Sequence, residues 1–270
     1  MPYLNCKQMV EPNVFRYTSM IQLRLPAKLA GILNILPPHP PGSLLPEQTP
    51  GYTRRDAITD AGLQHFRTAY AGQTCGNATA DAISKEDIFY YVYGLLHSPD
   101  YRARYADNLS KELPRIPCVK TLAHFLAFSK AGRELAGWHL NYETCEPYPL
   151  QIEISEAATP EQTFRVEKMK HPRTGKEKDK TTVIYNPHIT IRGIPPEAWE
   201  YIVNGKPALD WVMERQSVKT DKASTIINDA NDWALETMHN PRYPLDLFAR
   251  VTQVSIQTTR IIKTLPPLDI

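Results

Sequence analysis

The residues best suited to chemistry in this sequence are cations that crowd one short stretch. Residues Glu167 to Pro195 read EKMKHPRTGKEKDKTTVIYNPHITIRGIP. Between Arg165 and Arg192, eight Lys and Arg residues stand against three acids, although the whole chain of 270 residues has a formal net charge of only +2. Long cationic side chains bind phosphate groups, so the stretch predicts contact with DNA or RNA. The alternative is an ordinary solvated loop, because acidic residues interrupt the lysines.

Two sets of side chains are candidates for this contact. The first set consists of cations suited to phosphates, namely Lys168, Lys170, Arg173, Lys176, Lys178 and Lys180. The second set offers further donors and acceptors, some of which could face base edges. Tyr185 and Asn186 lie at the following turn, and Arg192 lies in the apolar segment after it. Lys219 and Lys222 belong to another polar stretch, SVKTDKASTIINDANDW. The alternative for the second stretch is a surface connection whose Asn and Asp side chains cap local turns.

No complete catalytic or metal site is visible in the sequence. The GxxxxGKS/T, GxGxxG, GxSxG and HExxH patterns do not occur. Residues Asn186 to His188 read NPH, which resembles the NPPY/F motif of adenine methyltransferases, but the third residue differs and no glycine-rich cofactor loop is present. The four cysteines form no CxxC pair, so we expect free thiols in a reducing cytoplasm and no metal site. The apolar runs are shorter than the about 18 to 20 residues of a membrane span, which predicts a soluble protein.

The elements that must position these side chains change character along the chain. Residues 1–53 include the proline-rich segment LPPHPPGSLLPEQTPG and are predicted to be a lead-in or linker. Capping residues at Thr59, Ser84 and Ser98 predict three helix starts, and a further helix is predicted at Leu122–Leu140. Together these helices indicate a helical lobe at about 54–145.

From about residue 150 the apolar pattern alternates instead. The segments QIEIS, TFRVEKM, TTVIYN and HITIRG predict a small antiparallel sheet near 150–193, with the lysine-rich loop as a hairpin. Helical spacing returns at PPEAWEYIV, then after an NGK turn at Leu209–Arg215, and again at Pro244–Lys263. We therefore predict an α+β fold for residues 54–270, in which the helical lobe is followed by the sheet and further helices at about 146–270. The length of the chain allows one large domain or two small ones.

Four longer blocks resemble a known family. They are EDIFYYVYGLLHSPDYRARYADNLSKELPRIP, AGRELAGWHLNYETCEPYPL, GIPPEAWEYIVNGKPALDWVMERQSVKTDKASTIINDANDW and TRIIKTLPPL. These blocks cover most of Arg54 to Leu268 and resemble the C-terminal target recognition domain of type ISP restriction-modification enzymes. Such an enzyme carries a nuclease, a helicase-like ATPase motor, a coupling region, an adenine methyltransferase and this domain in one polypeptide.

The resemblance implies sequence-specific recognition of double-stranded DNA on behalf of catalytic domains that this chain lacks. It also implies that the chain alone is no enzyme and needs no cofactor, since S-adenosylmethionine, ATP and Mg would belong to those other domains. The expected partners are duplex DNA and the methyltransferase region of the intact enzyme, and residues 1–53 are then either a linker or the end of that region. The implied setting is phage defence in the cytoplasm of a bacterium or archaeon.

Three interpretations of the chain stay open. The chain is either a DNA-reading domain or a scaffold that packs on the methyltransferase and contacts DNA only weakly. A third interpretation, a degenerate methyltransferase, predicts binding of S-adenosylmethionine.

Overall fold

A computed structural model of the protein describes residues 56–111, 113–155, 159–175 and 177–270, together with the backbone of Leu4 and Asn5. These residues form two compact units. The helical unit comprises the described residues up to Leu140 and Ile261–Ile270, and the sheet unit comprises Asn141–Arg260. Helices and small antiparallel sheets together confirm the α+β prediction. Apart from the backbone of Leu4 and Asn5, the predicted lead-in at 1–53 lies outside the described residues, and so does Lys176. The predicted domain boundaries stay predictions.

The predicted helix starts of the helical unit are confirmed. The Thr59 hydroxyl accepts a hydrogen bond from the Gly62 backbone N–H at 3.0 Å, and Ser84 forms a capping box with Asp87. The third start places Pro99 in the first turn after the capping Ser98. The elements of this unit are β1 (Leu4–Asn5), α1 (Asp60–Ala69), β2 (Thr74–Cys75), β3 (Ala78–Thr79), α2 (Lys85–His97), α3 (Pro99–Arg104), α4 (Ala106–Lys111), β4 (Arg115–Ile116) and α5 (Leu122–Leu140).

The core of the helical unit is an aromatic cluster beside a very close helix crossing. The Tyr91 ring lies 5.4 Å from Phe66 and 4.8 Å from Phe125, centroid to centroid, and all three side chains are fully buried. Beside this cluster α2 and α5 touch through Gly94 and Gly132, where a methyl group on either glycine would overlap a backbone carbonyl of the other helix. The close packing at these glycines therefore restricts how the two helices can cross.

The sheet unit is built around a three-stranded antiparallel sheet. Its strand order is β5–β9–β8, and the pairs Ile152 with Ile191 and Ile154 with Ile189 set the register of the first two strands. The elements are β5 (Gln151–Ile154), α6 (Pro160–Phe164), β6 (Arg173–Thr174), β7 (Glu177–Lys178), β8 (Val183–Ile184), β9 (Ile189–Arg192), β10 (Ile202–Val203), β11 (Lys206–Pro207), α7 (Ala208–Arg215), β12 (Lys219–Thr220), β13 (Ile227–Asn228), α8 (Ala230–Glu236) and α9 (Tyr243–Lys263), whose last three residues belong to the helical unit. The predicted sheet near 150–193 and the predicted last helix are thus confirmed.

Two element predictions in this unit are wrong. The segment TFRVEKM contains no named strand: its first residues end α6, because Thr159 caps the Gln162 N–H at 3.2 Å and Pro160 favours a helix start. The segment PPEAWEYIV forms only a short 3₁₀ turn before β10 begins. The reason lies in the next residues, since Asn204 and Gly205 both take positive φ and close a tight hairpin between β10 and β11.

Candidate nucleic-acid interface

The lysine-rich stretch forms a short antiparallel hairpin, as predicted. We call residues Lys168–Lys180 the basic hairpin. Arg173 pairs with Lys178 across its two strands, and Gly175 in the turn has a φ of 66°. At its base, Lys170 and Ile184 exchange backbone hydrogen bonds of 2.9 and 2.8 Å, which join the hairpin to the edge of the three-stranded sheet.

The cations of the basic hairpin face solvent. The side chains are exposed at five of the six predicted phosphate contacts, Lys168, Lys170, Arg173, Lys178 and Lys180, while Lys176 lies outside the described residues. Among the described residues none of these five forms an ion pair. Asp179 forms no ion pair with these cations, and its carboxylate instead accepts hydrogen bonds from the Thr181 hydroxyl at 2.6 Å and backbone N–H at 2.8 Å. These bonds lower the pKa of Asp179 and keep it charged.

The base of the hairpin is held by a buried tryptophan. The Trp199 indole donates a hydrogen bond to the Lys180 backbone carbonyl at 2.9 Å, and its ring contacts the His171 ring at 5.0 Å between centroids. The Lys180 ammonium lies 5.8 Å from the centroid of the same indole. The hairpin thus presents its cations from a fixed base, which lowers the entropic cost of binding an anionic surface.

The other predicted cations are differently placed. The Arg192 guanidinium donates to Glu153 at 2.8 Å, and the Lys219 ammonium lies 3.3 Å from a carboxylate oxygen of Glu214. Glu214 also binds Lys206, whose hydrogen bond is the main reason that the pKa of this carboxyl is lowered. Lys222 is exposed in the turn between β12 and β13. Arg192 and Lys219 are therefore less available to phosphates than the cations of the basic hairpin.

Tyr185 and Asn186 were predicted to read base edges, and the structure corrects this prediction. Tyr185 is fully buried, and its hydroxyl donates to the Phe164 carbonyl at 2.6 Å. The Asn186 side chain is also buried and uses all of its hydrogen-bonding capacity inside the protein. Its amide N–H groups donate to the Thr163 and Arg165 carbonyls, and its oxygen accepts from the His188 and Ile189 N–H groups, at 2.7 to 2.8 Å. Both side chains organise the turn before β9, so neither is available to DNA.

Sequence reasoning missed two exposed isoleucines near Lys222. Ile226 and Ile227 keep 61% and 62% of their surface exposed, more than any other large hydrophobic side chain in the described part of the chain. The sequence shows an adjacent apolar pair inside an otherwise polar stretch, STIIND, but such a pair ordinarily marks a core strand.

The described residues offer no sign of a metal centre or a membrane span. Within 56–270, apart from the masked positions at 112, 156–158 and 176, no cluster of three His, Cys, Asp or Glu side chains is arranged to bind a metal ion. Over the same residues no helix combines the length and apolarity needed to cross a bilayer. Cys75, Cys118 and Cys145 are free thiols, and Cys6 lies outside the described residues.

Comparison with known proteins connects these features to a family. The family model described as the Type ISP C-terminal specificity domain matches residues 15–247. Among solved structures, the chain is similar to a nuclease-deletion mutant of the Type ISP restriction-modification enzyme LlaGI in complex with a DNA substrate mimic. The two are 44% identical with a TM-score of 0.60, over 70% of this chain and 17% of that chain.

Two further structures are similar over more of this chain. The ATP-dependent Type ISP restriction-modification enzyme LlaBIII bound to DNA is 39% identical with a TM-score of 0.65, over 79% of this chain and 12% of that one. The DrdV–DNA complex is 35% identical with a TM-score of 0.63, over 79% of this chain and 20% of that one. The chain thus spans a fifth or less of each of these three proteins. No curated protein matches it.

Proposed function

The chain belongs to the Type ISP C-terminal specificity domain family, and from this premise we propose that it recognises a short sequence in double-stranded DNA. As a specificity domain it recognises a target and is not itself catalytic. The proposal for duplex DNA draws on the three similar structures, each of which contains DNA or a DNA mimic.

The basic hairpin is the observation that carries the proposal. Its exposed cations form no ion pairs within the described residues, although the chain has a net charge of only +2. Surface cations that stabilise the fold usually sit beside a carboxylate, as Lys85 and Arg133 do in the helical unit. An unpaired group of this kind matches the phosphate backbone of a duplex, where each contact releases a bound counterion. These contacts position the domain on DNA but do not select a sequence.

The intact enzyme would supply the chemistry. We propose that this chain works beside a methyltransferase region and helicase-nuclease domains, which would use S-adenosylmethionine, ATP and Mg. Its own role would be to hold the duplex so that the neighbouring methyltransferase can flip its target base. Action in the cytoplasm of a bacterium or archaeon and a role in phage defence are parts of the same proposal.

A selection experiment tests the proposal directly. The full chain is incubated with a pool of random duplexes, bound duplexes are amplified, and affinity for the enriched sequence is measured from about 50 to 200 mM salt. We expect one short sequence to be enriched, with log affinity falling by about 0.9 per phosphate contact for each unit of log salt. The absence of both sequence enrichment and salt dependence would refute the proposed function.

The exposed apolar side chains near α8 favour a second candidate function. Trp233, Leu235 and Met238 keep 55%, 39% and 38% of their surface exposed. An apolar surface of this kind suits contact with another protein, which fits a scaffold that packs on the methyltransferase region. Charge reversal at Lys178 and Lys180 separates the candidates: a pure scaffold predicts unchanged DNA affinity, whereas DNA recognition predicts a marked loss.

A further inference from the structure

Residues Lys219–Asn228 form a projecting two-stranded hairpin, which we call the isoleucine arm. Lys219 pairs with Asn228 and Thr220 pairs with Ile227. All four paired residues are exposed. Because successive side chains of a strand point to opposite faces, exposure at every paired position means that neither face of the arm is covered.

The tip of the arm is held in one conformation in spite of this exposure. The Asp221 backbone N–H donates to the Ile226 carbonyl at 2.9 Å. The Asp221 carboxylate accepts from the backbone N–H groups of Ala223 and Ser224 at 3.0 and 2.8 Å, and from the Ser224 hydroxyl at 2.9 Å. Thr225 completes the turn with a φ of 58°, in the left-handed region. An isolated hairpin is otherwise marginal in water, so these bonds preorganise the arm.

Both ends of the arm are fastened to the segment that leads into the basic hairpin. Before the arm, the Val218 N–H donates to the Glu167 carbonyl at 3.0 Å. After it, Asp229 pairs with Arg165 at 2.7 Å, and Asn231 exchanges two hydrogen bonds of 2.9 Å with the Val166 backbone. Since Lys168 follows this segment directly, the arm and the basic hairpin arise from a common base. A ligand held by one of them lies within reach of the other.

The surface of the arm suits the interior of a DNA groove better than open water. Two adjacent isoleucines, each about 60% exposed, bury little of their apolar surface in the fold. Beside them lie Lys222, which suits a phosphate, and Asn228, which carries both a donor and an acceptor. The major groove of B-form DNA admits a two-stranded β-ribbon and presents thymine methyl groups to apolar side chains. The narrower minor groove does not admit such a ribbon without deformation.

We propose that the isoleucine arm enters the major groove of the duplex held by the basic hairpin, where the face of the arm turned toward the bases carries one isoleucine of the Ile226–Ile227 pair onto thymine methyl groups. This inference rests on the proposed function and deepens it, because it assigns part of the sequence choice to apolar contacts. The arm thereby favours A·T pairs at the positions that it covers. The basic hairpin holds the phosphates on either side.

The test uses the full chain and the duplex enriched from the random pool. The arm variant Ile226→Ala with Ile227→Ala is compared with a control variant, Ile154→Ala with Ile202→Ala, whose isoleucines are also exposed, at 46% and 43%. We expect the arm variant to bind the selected duplex roughly 10- to 100-fold more weakly, with little change on random duplex. The control variant should bind like the parent chain. Circular dichroism is expected to show both variants folded.

A second measurement identifies the groove that the arm enters and the chemical group of the DNA that it contacts. Replacing thymine by deoxyuridine in the selected duplex should weaken binding by the parent chain and leave the arm variant unaffected. Methylation of guanine N7, in the major groove, should likewise interfere with binding of the parent chain more than of the arm variant. Unchanged affinity of the arm variant, a selected sequence made only of G·C pairs, or indifference to deoxyuridine would each overturn the inference while leaving the proposed function intact. If the parent chain enriches no sequence, both fail together.

Discussion

The crossing of α2 with α5 and the basic hairpin use their residues in opposite ways. At the crossing, Gly94 and Gly132 leave no room for even a methyl group, and the surrounding aromatic side chains are buried. At the basic hairpin, five long cations extend into solvent without ion pairs in the described residues. The composition of the first region is explained by packing. The second contributes little to packing, so its composition points to binding.

The largest expected effect on stability lies at the crossing. In Gly132→Ala the new methyl group would overlap the Tyr90 backbone carbonyl, and neither helix can move aside without losing other contacts. We expect a loss of more than about 4 kcal/mol in unfolding free energy, measured by urea denaturation. The matched control is Gly137→Ala on α5, where nothing lies within 4 Å of the added group. This control should gain about 0.5 to 1 kcal/mol from helix propensity, and equal stability of the two variants would contradict the packing account.

The second expected effect is a loss of stability in mild acid. His97 and His139 lie close together in the helical unit with ring centroids 5.5 Å apart, and the Tyr93 hydroxyl lies 2.6 Å from Nδ1 of His139. Burial lowers the pKa of His97 to about 4 and the pKa of His139 to about 3. Both folded values lie below the unfolded value of about 6.5, so the unfolded chain binds more protons as the pH falls through this window.

The free energy of unfolding should therefore fall as the pH drops below 6.5. For His97 and His139 together, the expected loss at pH 5 is roughly 2 to 4 kcal/mol. The measurement is urea denaturation at pH 7 and pH 5. The lowered carboxyl pKa values, such as that of Asp179, act only below about pH 4 and do not interfere. Equal stability at the two pH values would contradict the buried, neutral state of these histidines.

The third expected effect tests the correction at Asn186. Asn186→Ala removes four buried hydrogen bonds at the turn before β9, and we expect a loss of about 2 to 3 kcal/mol in unfolding free energy. The control, Asn228→Ala on the exposed isoleucine arm, should change stability by less than about 0.5 kcal/mol. If Asn186→Ala instead kept full stability and lost only DNA affinity, the original prediction of a base-reading turn would be restored.

The sequence predicted those features that depend on local chemistry. Thr59, Ser84 and Ser98 cap helices because a hydroxyl at that position reaches a backbone N–H only a few residues ahead. The hairpin of lysines was likewise visible from neighbouring residues. Such contacts form within a few positions of the chain, so a single sequence contains the information.

Features that depend on distant residues were missed. The sequence around Asn186 is typical of an exposed turn. The structure buries its side chain, which donates hydrogen bonds to the carbonyls of Thr163 and Arg165, more than 20 positions away along the chain. The pairing of Arg192 with Glu153 and of Lys219 with Glu214 also requires the folded sheet unit. The exposure of Ile226 and Ile227 could not be read from an apolar pair alone, since such a pair ordinarily marks a core strand.

The smallest expected effect on folding, and the most direct test of the central claim, lies at the basic hairpin. The triple variant Lys170→Gln, Lys178→Gln, Lys180→Gln should unfold within about 0.5 kcal/mol of the parent chain, because these side chains are exposed. The control is Lys85→Gln, Lys120→Gln, Arg133→Gln, which removes the same charge from paired cations of the helical unit.

The decisive measurement is duplex affinity against salt concentration for these two variants and the parent chain. The account predicts that the hairpin variant binds more weakly and that its slope of log affinity against log salt falls by about 3, while the control variant keeps nearly the parent slope. Equal slopes for the two variants would contradict the claim that the basic hairpin holds DNA.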